Sequence, residues 1–194
     1  PTDADGRSEL SVIERLLETV IEQAADGAAI VVLSQVPPGF TRRLERRLSS
    51  QDAARRMFVF YQVETLIFGQ AVERALRPER FIIGCADAEA ALPEPYARLL
   101  GAFGCPVLRM RYESAELAKT AINLYLSMSV TYANTVADLC ERIGADWTEM
   151  IPALRLDARI GPAAYIRPSL GITGGNLERD LVSLRHLAHA SGVD

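Results

Sequence analysis

The stretch Ala29-Ile30-Val31-Val32-Leu33, followed at residues 34–39 by Ser-Gln-Val-Pro-Pro-Gly, decides the fold class of this chain. A continuous run of β-branched and aliphatic residues predicts a strand that is buried on both faces, as in a parallel sheet. The Pro and Gly residues that follow predict a loop, because Pro donates no ladder hydrogen bond and Gly allows a turn. Similar short apolar runs follow at residues 57–61, 80–84 and 106–110.

Stretches with helical spacing of apolar residues alternate with these runs. The predicted helices lie at residues 10–25, 41–48 and 87–100, and Pro93 and Pro95 are expected to split the last of them into two short pieces. Strands alternating with helices favour a doubly wound α/β arrangement with a parallel sheet and right-handed crossovers. No GxGxxG motif follows a predicted strand, so the usual phosphate-binding turn for a dinucleotide is not found in this sequence.

After residue 112 the pattern changes to helices alone. A long helix is expected from Ser114 as its N-cap to Gly144 as its stop, about 30 residues or roughly 45 Å long. Shorter helices are predicted at residues 146–154 and 176–190. The expected fold class is therefore α/β plus all-α. It comprises a partial Rossmann-like parallel sheet in residues 1–110 and a helical central or dimerisation domain with one long helix in residues 111–194.

Two pairs of polar residues occupy helix positions where a role in an active site is the simplest explanation. Lys119 and Asn123 share a face near the start of the uncharged stretch 120–137, and Asn176 and Asp180 repeat the i, i+4 spacing on the last helix. An ammonium group in a poorly solvated helix needs an anionic or hydrogen-bonding partner, and an active-site cleft provides one. The alternatives are a lysine satisfied by backbone carbonyls and, for Asn176 and Asp180, helix capping.

Composition and charge argue against several classes of partner. The 194 residues are 49% hydrophobic with a net charge of −4, which makes nucleic acid an unfavourable partner. The arginines among residues 42–56 instead fit the solvated face of an amphipathic helix. The three cysteines lack CxxC spacing and do not indicate a disulfide framework or a zinc site. His186 and His189 could share a helix face, but no third ligand for a metal is evident.

The same features bear on location. Reduced thiols fit a cytoplasmic protein. The uncharged stretch 120–137 contains too many Ser, Thr and Asn residues for a membrane span, so we expect a helix buried in protein. Residues 1–6 do not resemble a signal peptide. Because the chain opens without Met, we also expect it to be a fragment.

Five ordered segments of the chain carry motifs that occur together in one protein family. Residues 34–44 are similar to S-T-V-P-x-G-T-T-x-x-L, and residues 62–69 to N-P-E-F-L-R-E-G. The helix start Glu116 to Asn123 resembles E-x-x-K-x-x-x-N. Residues 157–161 match D-x-R-I-G, and residues 171–180 lie over G-[FY]-G-G-S-C-[LF]-P-K-D without a gap. With these five segments the chain resembles the UDP-glucose/GDP-mannose (nucleotide-sugar) 6-dehydrogenase family.

This resemblance implies a reaction, a cofactor and a set of site residues. NAD would oxidise the C6 alcohol of a UDP-glucose or GDP-mannose type sugar through an aldehyde to the uronic acid. The implied catalytic residues are Lys119, Asn123, Asp180, Glu64 and Asn176 at the nucleophile position. The implied substrate contacts are Arg159, Tyr165, Gly171 and Gly174, and the implied cofactor contacts are Ser34 and Pro1. The resemblance also implies a homodimer through the long helix, an NAD phosphate turn before Pro1 and a nucleotide-sugar domain after Asp194.

The sequence departs from the family pattern at two chemically important positions. Asn176 stands where the family has its nucleophilic cysteine, and Phe68 stands where it has a second glutamate. A carboxamide cannot form a thioester, so the second oxidation by the family route is in doubt. Two alternatives to a working enzyme stay open: a degenerate member that binds a nucleotide sugar without turnover, and a dimerisation module without a ligand.

Overall fold

The computed structural model describes residues 9–51, 55–64, 66–67, 69–170 and 175–193. The chain divides into two compact units, Pro1–Lys119 and Thr120–Asp194. The boundary between the predicted domains, at residue 110, stays a prediction.

The first unit alternates helices and strands. In chain order its elements are α1 (Ser11–Gln23), β1 (Ala29–Val32), α2 (Phe40–Gln51), β2 (Phe58–Gln62), α3 (Ala71–Leu76), β3 (Phe81–Cys85), α4 (Glu94–Gly101), β4 (Val107–Arg111) and the start of α5 (Tyr112–Ile143). All four predicted strands are present within one or two residues of their expected bounds. The α/β fold class of this part is therefore confirmed.

The four strands form one sheet in the order β1-β2-β3-β4. The pairs β1–β2 and β3–β4 are parallel, with Ala29 opposite Phe58 and Phe81 opposite Val107. The pair β2–β3 is antiparallel, so the expectation of an all-parallel sheet is wrong at this one step. A parallel crossover needs a helix that runs back along the strands. The six residues of α3 rise only about 9 Å, whereas a five-residue strand is roughly 17 Å long. The helix α3 is therefore too short to return the chain to the other end of the sheet.

One hydrophobic cluster of the first unit lies between the sheet and α4. Its fully buried members are Phe60, Ile83, Cys85, Tyr96 and Leu100. The rings of Phe60 and Tyr96 lie 5.0 Å apart, and the Tyr96 hydroxyl donates to Gln62 Oε1 at 2.9 Å. Burial raises the pKa of Tyr96 well above its ordinary value, so this phenol stays neutral and acts as a donor.

Three helices differ clearly from what the sequence predicts. Residues 87–93 are not helical, and α4 is one helix in which Pro95 occupies a first-turn position that tolerates proline. The short helix α3 was not predicted from the sequence. The long helix begins at Tyr112 rather than after Ser114, because β4 ends at Arg111 and continues into α5 without a loop.

The second unit is helical, as predicted. It contains α5 from Thr120 onward, α6 (Trp147–Leu156) and α7 (Gly175–Ala190). Asp146 caps α6 by accepting the Thr148 backbone N–H at 2.7 Å. The core of this unit comprises Ala133, Cys140, Trp147 and Ile166, and Tyr132 meets the Trp147 ring edge-on.

The two faces of α5 differ in burial within the second unit. Ser127, Val130 and Ala133 are buried, whereas Tyr125 and Met128 are 64% and 62% exposed. The expectation of a helix buried in protein therefore holds for one face within a single chain, and for the second face it stays a prediction. Within the described ranges, no helix combines the length and the apolar character that crossing a membrane requires.

Candidate functional site

The second unit brings two of the predicted site residues into direct contact. Asn123 Nδ2 on α5 donates a hydrogen bond to Asp180 Oδ2 on α7, across 57 residues of sequence. Asp180 is 2% exposed. A buried carboxylate is unfavourable unless its oxygens accept hydrogen bonds, so this contact fixes where the two helices meet.

The second oxygen of Asp180 also has a donor. Arg179 Nη2 and Nε lie 3.3 and 3.4 Å from Asp180 Oδ1, and the Arg179 side chain is 22% exposed. Sequence reasoning did not single out Arg179, although a basic residue adjacent to a predicted catalytic acid was an available signal.

Lys119 lies one helical turn before Asn123 on α5 and is half-buried. Ser127 Oγ donates to the Asn123 carbonyl at 2.9 Å, which satisfies that part of the helix locally. Within the second unit, Asn123 and Asp180 thus place an amide and a carboxylate in contact. This pair can orient a hydroxyl group and accept its proton.

Several predicted residues lie outside what the structure describes. Pro1, Gly171 and Gly174 belong to undescribed ranges. Asn176 is in the first turn of α7, four residues before Asp180, but its side chain is not described. Their roles stay predictions.

The predicted residues of the first unit lie at strand ends. Ser34 is exposed just after β1. Glu64 is exposed after β2, where its carboxylate accepts the Leu66 backbone N–H at 2.8 Å. Glu64 lines a cavity of about 260 Å³ that α3 and α4 also border. Ligands of open α/β sheets bind outside the carboxyl ends of parallel strands, which is where Ser34 lies.

Arg159 and Tyr165 lie in the loop between α6 and α7 of the second unit. Arg159 is 89% exposed, and its guanidinium binds Asp157 at 2.7 Å. The hydrogen bond from Arg159 lowers the pKa of Asp157, so the pair stays ionic at neutral pH. Tyr165 is 55% exposed. Both side chains therefore remain available for an external ligand.

The structure also reveals a buried acid that the sequence analysis named only as part of a motif. Glu116 on α5 is fully buried in the first unit, and its carboxylate accepts the backbone N–H groups of Gly39 and Thr41 at 2.5 and 2.8 Å. Burial raises the pKa of Glu116, while the hydrogen bonds from Thr41 and Gly39 oppose that shift. Across the described ranges, no group of three or more His, Cys, Asp or Glu residues is arranged to hold a metal ion.

Comparison with known proteins identifies the family. Residues 1–100 match the NAD-binding domain of the UDP-glucose/GDP-mannose dehydrogenase family, and residues 113–194 match its central domain. The chain belongs to this family. The resemblance inferred from five sequence motifs is thereby confirmed at the level of the family.

Relatives of the UDP-glucose/GDP-mannose dehydrogenase family match nearly the whole chain. UDP-glucose 6-dehydrogenase of Bacillus subtilis is 28% identical over 99% of this chain and 41% of its own length. The Rickettsia conorii enzyme of the same name is 30% identical over the whole chain and 44% of its own length. The structure of a UDP-glucose dehydrogenase from Pyrobaculum islandicum superposes with a TM-score of 0.84 and 30% identity, covering 100% of this chain and 45% of that one. The chain thus spans less than half the length of these relatives.

Proposed function

We propose that this protein takes part in NAD-dependent oxidation of a nucleotide sugar of the UDP-glucose or GDP-mannose type, at the C6 alcohol. The observation that carries the proposal is the buried contact between Asn123 and Asp180 in a chain of this family. A carboxylate held in this way fits the proton acceptor that oxidation of an alcohol requires.

The other residues have complementary roles in this proposal. Asp180 accepts the C6 hydroxyl proton. Lys119 and Asn123 donate hydrogen bonds to the oxygen on which negative charge develops. Glu64 assists with proton transfer. Arg159, Tyr165, Gly171 and Gly174 contact the substrate.

In this proposal, residues of the chain bind the nicotinamide end of NAD. When bound, NAD accepts the hydride that the alcohol carbon loses. Ser34, exposed at the carboxyl end of β1, would contact the nicotinamide end, together with Pro1. The start of α2 does not serve as a phosphate site, because the Glu116 carboxylate already accepts the Gly39 and Thr41 N–H groups there.

The identity of residue 176 sets the extent of oxidation in the proposal. The first oxidation converts the CH₂OH group to an aldehyde, with the proton passing to Asp180 and the hydride to NAD. Conversion of that aldehyde through a thioester requires a thiolate, which Asn176 cannot supply. The proposed product is therefore the C6 aldehyde rather than the uronic acid.

An NADH absorbance assay with the product of the complete gene tests this proposal. A panel of UDP and GDP sugars is supplied with NAD, and an aldehyde-trapping reagent is present in one arm. We expect one NADH per sugar with one member of the panel, and a trapped aldehyde. Two NADH per sugar would contradict the single oxidation. No NADH with any sugar would contradict the enzyme proposal, and calorimetric binding of a UDP sugar would then support the non-catalytic binding module.

The Asn176→Cys variant tests the same proposal by a gain of function. It restores the thiol of the family at the first turn of α7. If the pocket is otherwise intact, the variant gains acid-forming activity and produces two NADH per sugar. A variant that forms no acid would show that residue 176 alone does not limit the reaction.

We also propose that α5 pairs with α5 of a second copy of this chain. The exposed apolar side chains of this helix recur at intervals of three, four and seven residues, and so lie on one stripe: Tyr125, Met128, Tyr132, Leu139 and Ile143. A stripe running along a helix can meet its own copy about a twofold axis, since each residue then has an equivalent partner. Sedimentation at micromolar concentration should show a dimer for the wild-type protein and a monomer for Met128→Glu. A wild-type monomer would overturn this arrangement.

A further inference from the structure

Glu116 joins two segments of the first unit that are far apart in sequence. The two oxygens of its carboxylate accept different backbone N–H groups, one from Gly39 and one from Thr41, across 77 and 75 residues. These N–H groups lie at the start of α2, where the loop from β1 ends. The side chain is fully buried, so water cannot substitute for either bond.

The N-terminus of α2 suits this carboxylate electrostatically. The first N–H groups of a helix have no partner within the helix, and they carry the positive end of its dipole. Charge-assisted hydrogen bonds to an anion there are short and strong. A carboxylate supplied from α5 therefore fixes the direction of α2 and of the loop before it.

Two further contacts hold the beginning of α5 to the sheet. The Tyr112 hydroxyl donates to the Val59 carbonyl at 2.7 Å. Gly84 on β3 lies so close to α5 that a Cβ built there would be 3.0 Å from Ala115 Cβ. Tyr112 and Ala115 thus fix α5 against β2 and β3, and Glu116 fixes the loop after β1 against α5.

The contacts of Tyr112, Ala115 and Glu116 form a junction between the sheet, the loop after β1 and α5. This junction fixes the position of the Ser34 loop relative to the start of α5. The loop from Ser34 to Gly39 lies on one side of Glu116, and Lys119 follows Glu116 by three residues on the same helix. We infer that Glu116 is a positioning residue, which aligns the Ser34 loop with the helical turn that carries Lys119. The inference rests on the proposed function, in which Ser34 contacts the cofactor and Lys119 the reacting oxygen.

Amide hydrogen exchange of the wild-type chain tests the junction without any assay of activity. The Gly39 N–H precedes α2 and would exchange rapidly if it faced water. We expect Gly39 and Thr41 to exchange as slowly as the sheet amide of Val59, and Gly39 to lose protection in Glu116→Gln. Exchange of Gly39 at the rate of an exposed loop in the wild-type chain would overturn the inference.

Turnover of the complete gene product tests the positioning role itself. Glu116→Gln keeps the size of the side chain but turns an NH₂ group toward one of the two donors. We expect kcat to fall by about ten- to a hundredfold, as misplaced reacting groups cause, with both KM values within threefold of wild type. Glu113→Gln is the matched control, since Glu113 lies one turn away and its bond to Arg42 is partly exposed. This control should keep kcat within twofold.

The remaining outcomes separate this inference from the proposed function. An unchanged kcat in folded Glu116→Gln, or a raised KM at constant kcat, would overturn the positioning role. If the wild-type protein forms no NADH, the proposed function fails and the exchange result alone decides whether the junction exists. If Glu116→Gln does not fold, Glu116→Asp replaces it: the charge is kept, the reach is one methylene shorter, and the same loss of kcat is expected.

Discussion

Removing the Asn123 side chain should destabilise the second unit by a measurable amount. Asn123→Ala deletes the donor to Asp180 Oδ2, and at 2% exposure Asp180 cannot recover that bond from water. A hydrogen bond to a charged group contributes about 1.5–3 kcal/mol. Arg179 still reaches the other oxygen at 3.3 Å, so the lower half of that range applies, about 1.5–2 kcal/mol. In a chain of this size that lowers Tm by roughly 3–8 °C.

Tryptophan fluorescence is the assay of choice for this variant. Trp147 is the sole tryptophan of the sequence and belongs to the core of the second unit, so its emission reports unfolding of that unit. Asn134→Ala is a matched control on the same helix, because the bond that Asn134 accepts from the Ser169 N–H is exposed. The control should lose about 0.5–1 kcal/mol.

A double-mutant cycle isolates the contact from other effects of the substitution. Asn123→Ala, Asp180→Ala and the double variant are unfolded in urea under identical conditions. A direct buried bond predicts a coupling free energy of about 1 kcal/mol or more. Coupling below roughly 0.3 kcal/mol, the level at which distant sites add independently, would refute the placement of these two side chains.

Three further predictions concern packing and pH. Trp147→Ala removes a large core side chain and should destabilise the second unit by about 3–5 kcal/mol in a urea titration. Gly84→Ala places a methyl group 3.0 Å from Ala115 Cβ, so the first unit should lose about 1–3 kcal/mol in amide-exchange or thermal measurements. Burial raises the pKa of Glu116 in the folded state, so its stabilising contribution relative to Glu116→Gln is largest below the ordinary pKa of 4.5. That contribution should decline as the pH rises through the folded-state pKa, and a stability difference that grows with pH would contradict this sign.

The sequence predicted the elements whose patterns are local. The run at residues 29–33 and the three later apolar runs identified all four strands, because burial on both faces leaves a continuous hydrophobic signature. The long helix was also predictable from its length and periodicity. The direction of β3 was not, since the connection before it contains a short helix whose residues are all at least partly exposed. Such a helix leaves little amphipathic pattern to recognise.

The site could be predicted only in part for a similar reason. The i, i+4 spacing of Lys119 with Asn123 and of Asn176 with Asp180 indicated two polar pairs, and the structure shows that Asn123 meets Asp180. The bonds from Gly39 and Thr41 to Glu116 span more than 70 residues and involve backbone groups. No side-chain pattern encodes the position of a backbone N–H, so this junction required coordinates.

Product analysis after a single turnover of the complete gene product, with NAD and the best nucleotide sugar of the panel, tests directly whether Asp180 accepts the proton in a single oxidation. Mass spectrometry of the sugar, in parallel with NADH absorbance, compares the wild-type protein with Asp180→Ala. We expect a C6 aldehyde with one NADH for the wild-type protein, and at least a hundredfold slower formation by the variant. Equal rates for the two proteins, or no oxidised sugar from the wild-type protein, would contradict it.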